Sequence, residues 1–350
     1  MKKPIKVLVV DDAIVVRILV GNTISKEPDL EFVGKAENGK IALEKIDELH
    51  PDVVVLDIEM PEMDGLEVLR VLKERKTPTK VIMFSTYTTV GATHTFEALE
   101  LGAVDFVPKP SSSGFSKGFE KVREELLAKI KFIGSSDSAQ PMPKIRRSSS
   151  SIISSASTGF EVIVFEGGMG APKTFMNIIP QLPEQLTSGI LIFQSMFAGF
   201  AEQFVRRLAK SAHIPIKAGE HDDVIQPGHG FVLFGDQYVA TKRSGTTLQL
   251  AFREKDEAEK YGSVPRILCE SIAKTCGKKA IGVILSGAGE GNLEGIQAMK
   301  NQGALIFAEE PSSLIGQEIL NQFIEKSLID EIVQSQELVP TLTRSLGLSK

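Results

Sequence analysis

Three aspartates stand directly after runs of Val and Leu: Asp11 and Asp12 after KVLVV, and Asp57 after DVVVL. Two further apolar runs end in Ser85 (VIMFS) and Lys109 (DFVPK). If these runs are strands of one parallel sheet, all five polar groups gather outside its carboxyl ends, where such sheets place their function. Carboxylates brought together repel one another. A divalent cation removes that repulsion, and hard oxygen ligands suit magnesium. One carboxylate can then attack a phosphoryl group, while the Lys109 ammonium and the Ser85 hydroxyl hold its oxygens. A single Asp after a strand is ordinarily a helix cap or turn residue. The whole set, in this order and spacing, is not accounted for that way.

The elements needed to position these groups are visible in the first third of the chain. Strand-length apolar runs occur at 5–10, 53–56, 81–84 and 105–107, with helix-period segments at 14–25, 40–49, 66–76, 91–100 and 115–133. Alternation of this kind predicts a parallel sheet covered on both faces, and the buried strands are correspondingly Val- and Ile-rich. Residues 134–159 (GSSDSAQPMPKIRRSSSSIISSASTG) carry no apolar period and are rich in Ser, which predicts a flexible linker. Alternation then resumes. Strands are predicted at 161–165, 189–194, 231–234, 238–241, 280–285 and 304–308, and helices at 173–181, 200–210, 263–276 and 292–302. The fold class expected is therefore α/β, with two tandem doubly wound parallel-sheet domains: 1–133, and 160–350 after the linker.

Bulk composition excludes several function classes. Net charge is −5 over 350 residues, with 24% charged and 42% hydrophobic residues. That balance gives no reason to expect a nucleic acid or an anionic membrane as partner. The two cysteines, Cys269 and Cys276, form no disulfide framework or zinc pattern. The N-terminal apolar run is too short for a signal peptide or a spanning helix, so the expected location is the cytoplasm.

The motifs VVDDAIVVR, LDIEMPEMDGLEVL, IMFST and ALELGAVDFVPKP resemble a response-regulator receiver domain, flavodoxin-like in fold, over about residues 4–133. The resemblance implies that Asp57 accepts a phosphoryl group from a histidine kinase. It implies that Asp12 binds Mg2+ directly with support from Asp11, and that the Glu59 backbone carbonyl completes the metal shell. Ser85 and Lys109 are then the switch hydroxyl and lysine, and Phe106 occupies the aromatic switch position.

The second half resembles the chemotaxis protein-glutamate methylesterase and glutamine deamidase family, a Rossmann-type fold. It does so through APKTFMNIIPQLP, FAGFAEQFVRRLA, VIQPGHGFVLFGD, SVPRILCESIAKTCG and AIGVILSGAGEGNLEGIQAMKNQGA. That family hydrolyses with a Ser/His/Asp triad. Aligned on Pro172, the segment EGGMGAP puts Gly168 where the serine belongs. Ser195 stands at the histidine position and Gly291 at the aspartate position, with Glu290 one residue away. The small residues of the elbow remain because a strand-to-helix turn needs them. These substitutions lead to the expectation of a second domain with no catalytic residue, a pseudoenzyme acting by regulated protein binding or by competing for phosphoryl groups. A chemoreceptor cytoplasmic domain is the partner implied. The alternative is an active methylesterase/deamidase on chemoreceptors with a rebuilt site, drawing on Ser195 or Ser286 with His221 and Glu290. A GGMG elbow as a nucleotide site is a weaker reading, since Glu166 beside it opposes phosphate.

Overall fold

The structure is a computed structural model that describes residues 3–86, 89–110, 115–135, 159–196, 198–235, 237–254, 262–285, 287–288, 291–311 and 314–348. Ser286, Glu290 and all but the ends of the 134–159 linker lie outside the described residues. The chain forms two compact units, residues 1–139 with 197–203, and residues 140–196 with 204–350.

In the first unit the elements run β1 (Ile5–Val10), α1 (Ile14–Ile24), β2 (Leu30–Ala36), α2 (Gly39–Leu49), β3 (Val53–Leu56), α3 (Gly65–Glu74), β4 (Lys80–Thr86), α4 (Thr89–Leu101), β5 (Asp105–Lys109) and α5 (Phe115–Gly134). The sheet order is β2-β1-β3-β4-β5, and every pairing is parallel. The interior strands β1 and β3 are apolar because helices cover both faces of the sheet. Side-chain caps fix the starts of α2 and α3. Asn38 Oδ1 accepts the Ile41 N–H at 3.0 Å to start α2. A reciprocal capping box between Asp64 and Glu67 starts α3. The strand β2 carries no clear signal in the sequence. Its LEFVGKA run alternates weakly and much of it is half-exposed, as suits the edge of a sheet.

In the second unit the order is β6 (Val162–Gly167), α6 (Ala171–Ile178), β7 (Gly189–Gln194), α7 (Ala198–Ser211), β8 (Ile216–Ala218), β9 (Gly230–Phe234), β10 (Val239–Ser244), β11 (Thr247–Phe252), α8 (Val264–Cys276), β12 (Ala280–Ile284), α9 (Leu293–Asn301), β13 (Leu305–Glu309), α10 (Leu314–Glu325), β14 (Glu331–Val333) and α11 (Leu338–Ser345). A parallel sheet runs β14-β13-β12-β6-β7-β9-β8. The expected strand at 238–241 is real, but it lies in a separate antiparallel hairpin with β11. The edge strands β8 and β14 have only three residues each, too few to leave a periodic signal.

The two faces of this sheet have separate cores. On one, Phe165 meets Phe175 edge-on at 6.3 Å, and Phe175 meets Phe204 at 6.1 Å. On the other, Val162, Val164, Leu191, Phe193 and Ile284 pack with Leu268, Cys269 and Ile272 of α8 and Ile296 and Met299 of α9. Burial of such side chains contributes about 25 cal/mol per Å² of apolar surface.

Candidate functional site

The first unit brings its strand-end groups together as expected. Ligand oxygens of Asp11, Asp12 and Asp57 lie within 4.8 Å of one another. Lys109 Nζ reaches from the end of β5 to within 2.7 Å of Asp11 Oδ2 and 2.7 Å of Asp57 Oδ2. Asp57 Oδ1 accepts the Ile58 N–H at 2.8 Å, and Asp11 Oδ1 accepts the Ala13 N–H at 2.9 Å. Asp11 and Asp57 are buried, whereas Asp12 is exposed. Gly65 is required where α3 approaches the end of β3: a Cβ there would lie 2.2 Å from the Asp57 carbonyl oxygen.

The electrostatics follow from burial. Desolvation pushes Asp57 up from 3.8 to about 6, against the attraction of Lys109 and with the help of the Asp11 charge. Desolvation likewise raises Asp11, partly opposed by Lys109. Burial alone would lower Lys109, but Asp57 and Asp11 outweigh it and raise the ammonium further. One lysine thus serves two buried carboxylates. An oxygen-rich cluster of three carboxylates with a single cation among them fits a further hard divalent cation.

The other groups expected here are nearby. Ser85 is buried, and its Oγ donates to the Gly91 carbonyl of α4 at 3.3 Å. Glu59 lies two residues beyond Asp57 in the β3–α3 loop. The Phe106 ring packs edge-on against Phe96 of α4 at 5.8 Å. Lys129 Nζ, from α5, lies 5.2 Å from the Phe106 ring centroid and donates to the Phe106 carbonyl at 2.6 Å.

In the second unit, Gly168, Ser195 and Gly291 follow the neighbouring strands β6, β7 and β12 and so share one end of the sheet. The elbow at Gly168 is filled by backbone. A Cβ there would lie 1.9 Å from the Gly287 carbonyl oxygen, so only glycine fits this conformation. Ser195 is exposed beside Gly235, the residue after β9. Gln194 Nε2 donates to the Ser195 carbonyl at 2.8 Å and to the Gly168 carbonyl at 3.3 Å, tying the two loops together. His221 Nδ1 accepts the Phe252 N–H at 3.0 Å, which leaves the proton of its neutral form on Nε2. No hydrogen bond joins His221 to Ser195 among the described residues.

One pair was not foreseen. Glu166 is buried at the end of β6, and Asn292 Nδ2 donates to its Oε2 and to Cys269 Sγ. Glu166 sits where an apolar column (Val162, Val164) runs out, and its position as the last residue of that alternation was the available signal. Burial first, then the Glu166 charge, pushes the Cys269 thiol well above its usual range, which disfavours the thiolate. A pocket lined by Leu285, Gly287, Ala288, Glu309, Pro311 and Phe323 opens at the ends of β12 and β13.

With the geometry established, likeness to known proteins decides the family. The family model described as CheB methylesterase matches residues 163–342, and that of the response regulator receiver domain matches residues 7–115. The chain belongs to the CheB methylesterase family. It is 32% identical to a protein-glutamate methylesterase/protein-glutamine glutaminase of Pyrococcus horikoshii, over 99% of this chain and 95% of the relative. It is 34% identical to a protein of Koribacter versatilis with the same name and the suffix 2, over 94% of this chain and 93% of the relative. Among solved structures it resembles the response regulator domain of Thermotoga maritima CheB, with 45% identity and a TM-score of 0.36, covering 40% of this chain and 100% of that one.

This family membership corrects the expectation that the second unit is not an enzyme. Relatives matched across nearly the whole chain carry the name of a hydrolase. The physical reason is general: hydrolytic constellations are defined by geometry and role, and residue types at aligned positions do not by themselves exclude them. The chain is a response regulator of the chemotaxis type, with a receiver and a methylesterase domain. No helix among the described residues is long and apolar enough to cross a membrane.

Proposed function

We propose that this response regulator is phosphorylated on Asp57 by a histidine kinase. Its second unit then hydrolyses glutamate methyl esters and glutamine side-chain amides on chemoreceptors. The observation that carries the proposal is the match of both halves, in order, to relatives bearing that name over 94–99% of the chain.

In the receiver, an Asp57 carboxylate oxygen attacks phosphorus as the bond from phosphorus to the donor histidine nitrogen breaks. Lys109, now shared by two carboxylates, moves its ammonium to a phosphoryl oxygen. Ser85 turns its hydroxyl from the Gly91 carbonyl toward the new phosphoryl group, which releases α4 and the ring packing of Phe96 on Phe106. Mg2+ would be held by Asp11, Asp12, Asp57 and the Glu59 carbonyl, and would supply positive charge against the phosphoryl oxygens.

In the second unit, we assign the Ser195 hydroxyl as nucleophile of a site that departs from the family triad at Gly168, Ser195 and Gly291. Three features support this: its exposure at the carboxyl end of β7, the Gln194 bridge that fixes its loop, and the closure of the Gly168 position by Gly287. The deciding test is methanol release from methylated chemoreceptor, with Asp57 phosphorylated by a small phosphodonor and an authentic methylesterase as control. Release that depends on phosphorylation and is lost in Ser195→Ala is expected. No release from the phosphorylated protein would end the hydrolase reading. Release that survives Ser195→Ala would place the nucleophile elsewhere.

A further inference from the structure

The first turn of α1 is inverted. Ile14, Val15 and Ile18 face solvent at 58%, 55% and 48% exposure, while the cationic Arg17 between them is only 7% exposed. Burying a guanidinium is costly unless its donors are used. They are used on one feature, the loop that carries the acidic pair. Arg17 Nη1 donates to the Asp11 carbonyl at 2.5 Å and to the Asp12 carbonyl at 2.8 Å. Nη2 lies 3.6 Å from Glu37 Oε2 in the next loop of the same edge. The helix itself has no side-chain cap at Ala13. The loop is therefore held at its two carbonyls by Arg17, at the Asp11 N–H by the Ala36 carbonyl at 3.1 Å, and at Asp11 Oδ1 by the Ala13 N–H.

We infer that Arg17 is a positioning residue for the divalent cation. By gripping the two carbonyls from behind, it fixes the direction in which the Asp11 and Asp12 carboxylates project toward Asp57. The inference rests on the reading of this cluster as the cation site. Partners that orient metal ligands from outside the coordination shell are typically worth 10–100-fold in affinity. A competing effect has the opposite sign. Arg17 carries positive charge close to where a cation binds, so removing it would tighten binding if Coulomb repulsion dominated. The geometry favours positioning, because the guanidinium is neutralised locally by two carbonyl dipoles and by Glu37, whereas only Asp11, Asp12 and Ala13 join β1 to α1, so the carbonyls Arg17 holds belong to the residues that carry both carboxylates.

The experiment measures Mg2+ binding by calorimetry, and Mn2+ binding by electron paramagnetic resonance, on the full chain and on Arg17→Ala and Arg17→Lys, with thermal melting alongside. Expected is a dissociation constant weakened about tenfold in Arg17→Ala and at least about threefold in Arg17→Lys, which keeps the charge and loses the planar fork. Unchanged or tighter binding in a folded variant, with only the melting temperature lowered, would overturn the inference and leave Arg17 a structural residue. If Arg17→Ala does not fold, Arg17→Lys decides alone, and wild-type affinity in that variant is the overturning result. Absence of cation binding by the wild type would remove the site reading itself, and this inference with it.

Discussion

Asp57 is held between two opposed effects, and its pH behaviour follows from them. Burial and the neighbouring Asp11 charge favour its proton, Lys109 opposes them, and the balance lies near 6 rather than 3.8. A carboxyl raised in the fold contributes stability that is complete below about pH 4 and is lost as pH rises through about 6. In metal-free buffer this group is expected to withdraw on the order of 2–3 kcal/mol between pH 4 and pH 7. Urea midpoints of wild type and Asp57→Asn at both pH values check this; equal pH slopes in the two proteins would refute it. At Gly168 the limit is steric. Gly168→Ser would place Cβ against the Gly287 carbonyl. It is expected to destabilise by about 1–3 kcal/mol through forced backbone displacement, without raising hydrolysis; melting and methanol release measure both. At this scale the three acids, Ser85 and Lys109 were legible because each closes an apolar run of the sequence. Arg17 was not, because an arginine within an apolar helical run is read as a solvated side chain until its fork is seen to turn inward.

Among the elements, the β5–α5 pair carries a buried charge network. Lys129 of α5 is buried and pairs with Asp105 at 3.2 Å and Glu125 at 2.9 Å, while Asp105 Oδ1 also accepts the Phe106 N–H at 2.8 Å. Burial alone would lower Lys129, but Asp105 and Glu125 outweigh it and keep it charged. Lys129→Met removes the buried cation that faces Asp105 and Glu125 and is expected to cost about 3–5 kcal/mol. Adding Asp105→Asn should recover part of that loss in denaturant unfolding. Failure to recover would show that the pair is not coupled. The α3 capping box is a smaller contribution: Asp64→Ala is expected to cost about 1 kcal/mol, read as a lowered melting temperature. Elements with long apolar runs were legible. The strands β2, β8 and β14 were not, because edge strands are short or half-exposed and are stabilised by pairing with a neighbour rather than by their own pattern.

At the scale of the molecule there are two units, each with its own sheet and core. A fragment of residues 3–135 is expected to fold and to bind Mg2+ with the affinity of the full chain, measured by calorimetry; a fragment that stays unfolded would contradict this. The sequence by itself determined the fold class, the order of most strands and helices and the strand-end acids of the receiver. All of these are written in local periodicity and in residues adjacent along the chain. Only the tertiary structure decided which strands are neighbours, that the β10–β11 hairpin stands apart from the main sheet, and that the Gly287 backbone closes the space at Gly168. It alone showed that Glu166 finds Asn292 126 residues away and that Arg17 turns inward beneath the acidic loop. These features depend on which distant surfaces are packed together, and packing is set by the summed burial of the whole chain rather than by any local pattern.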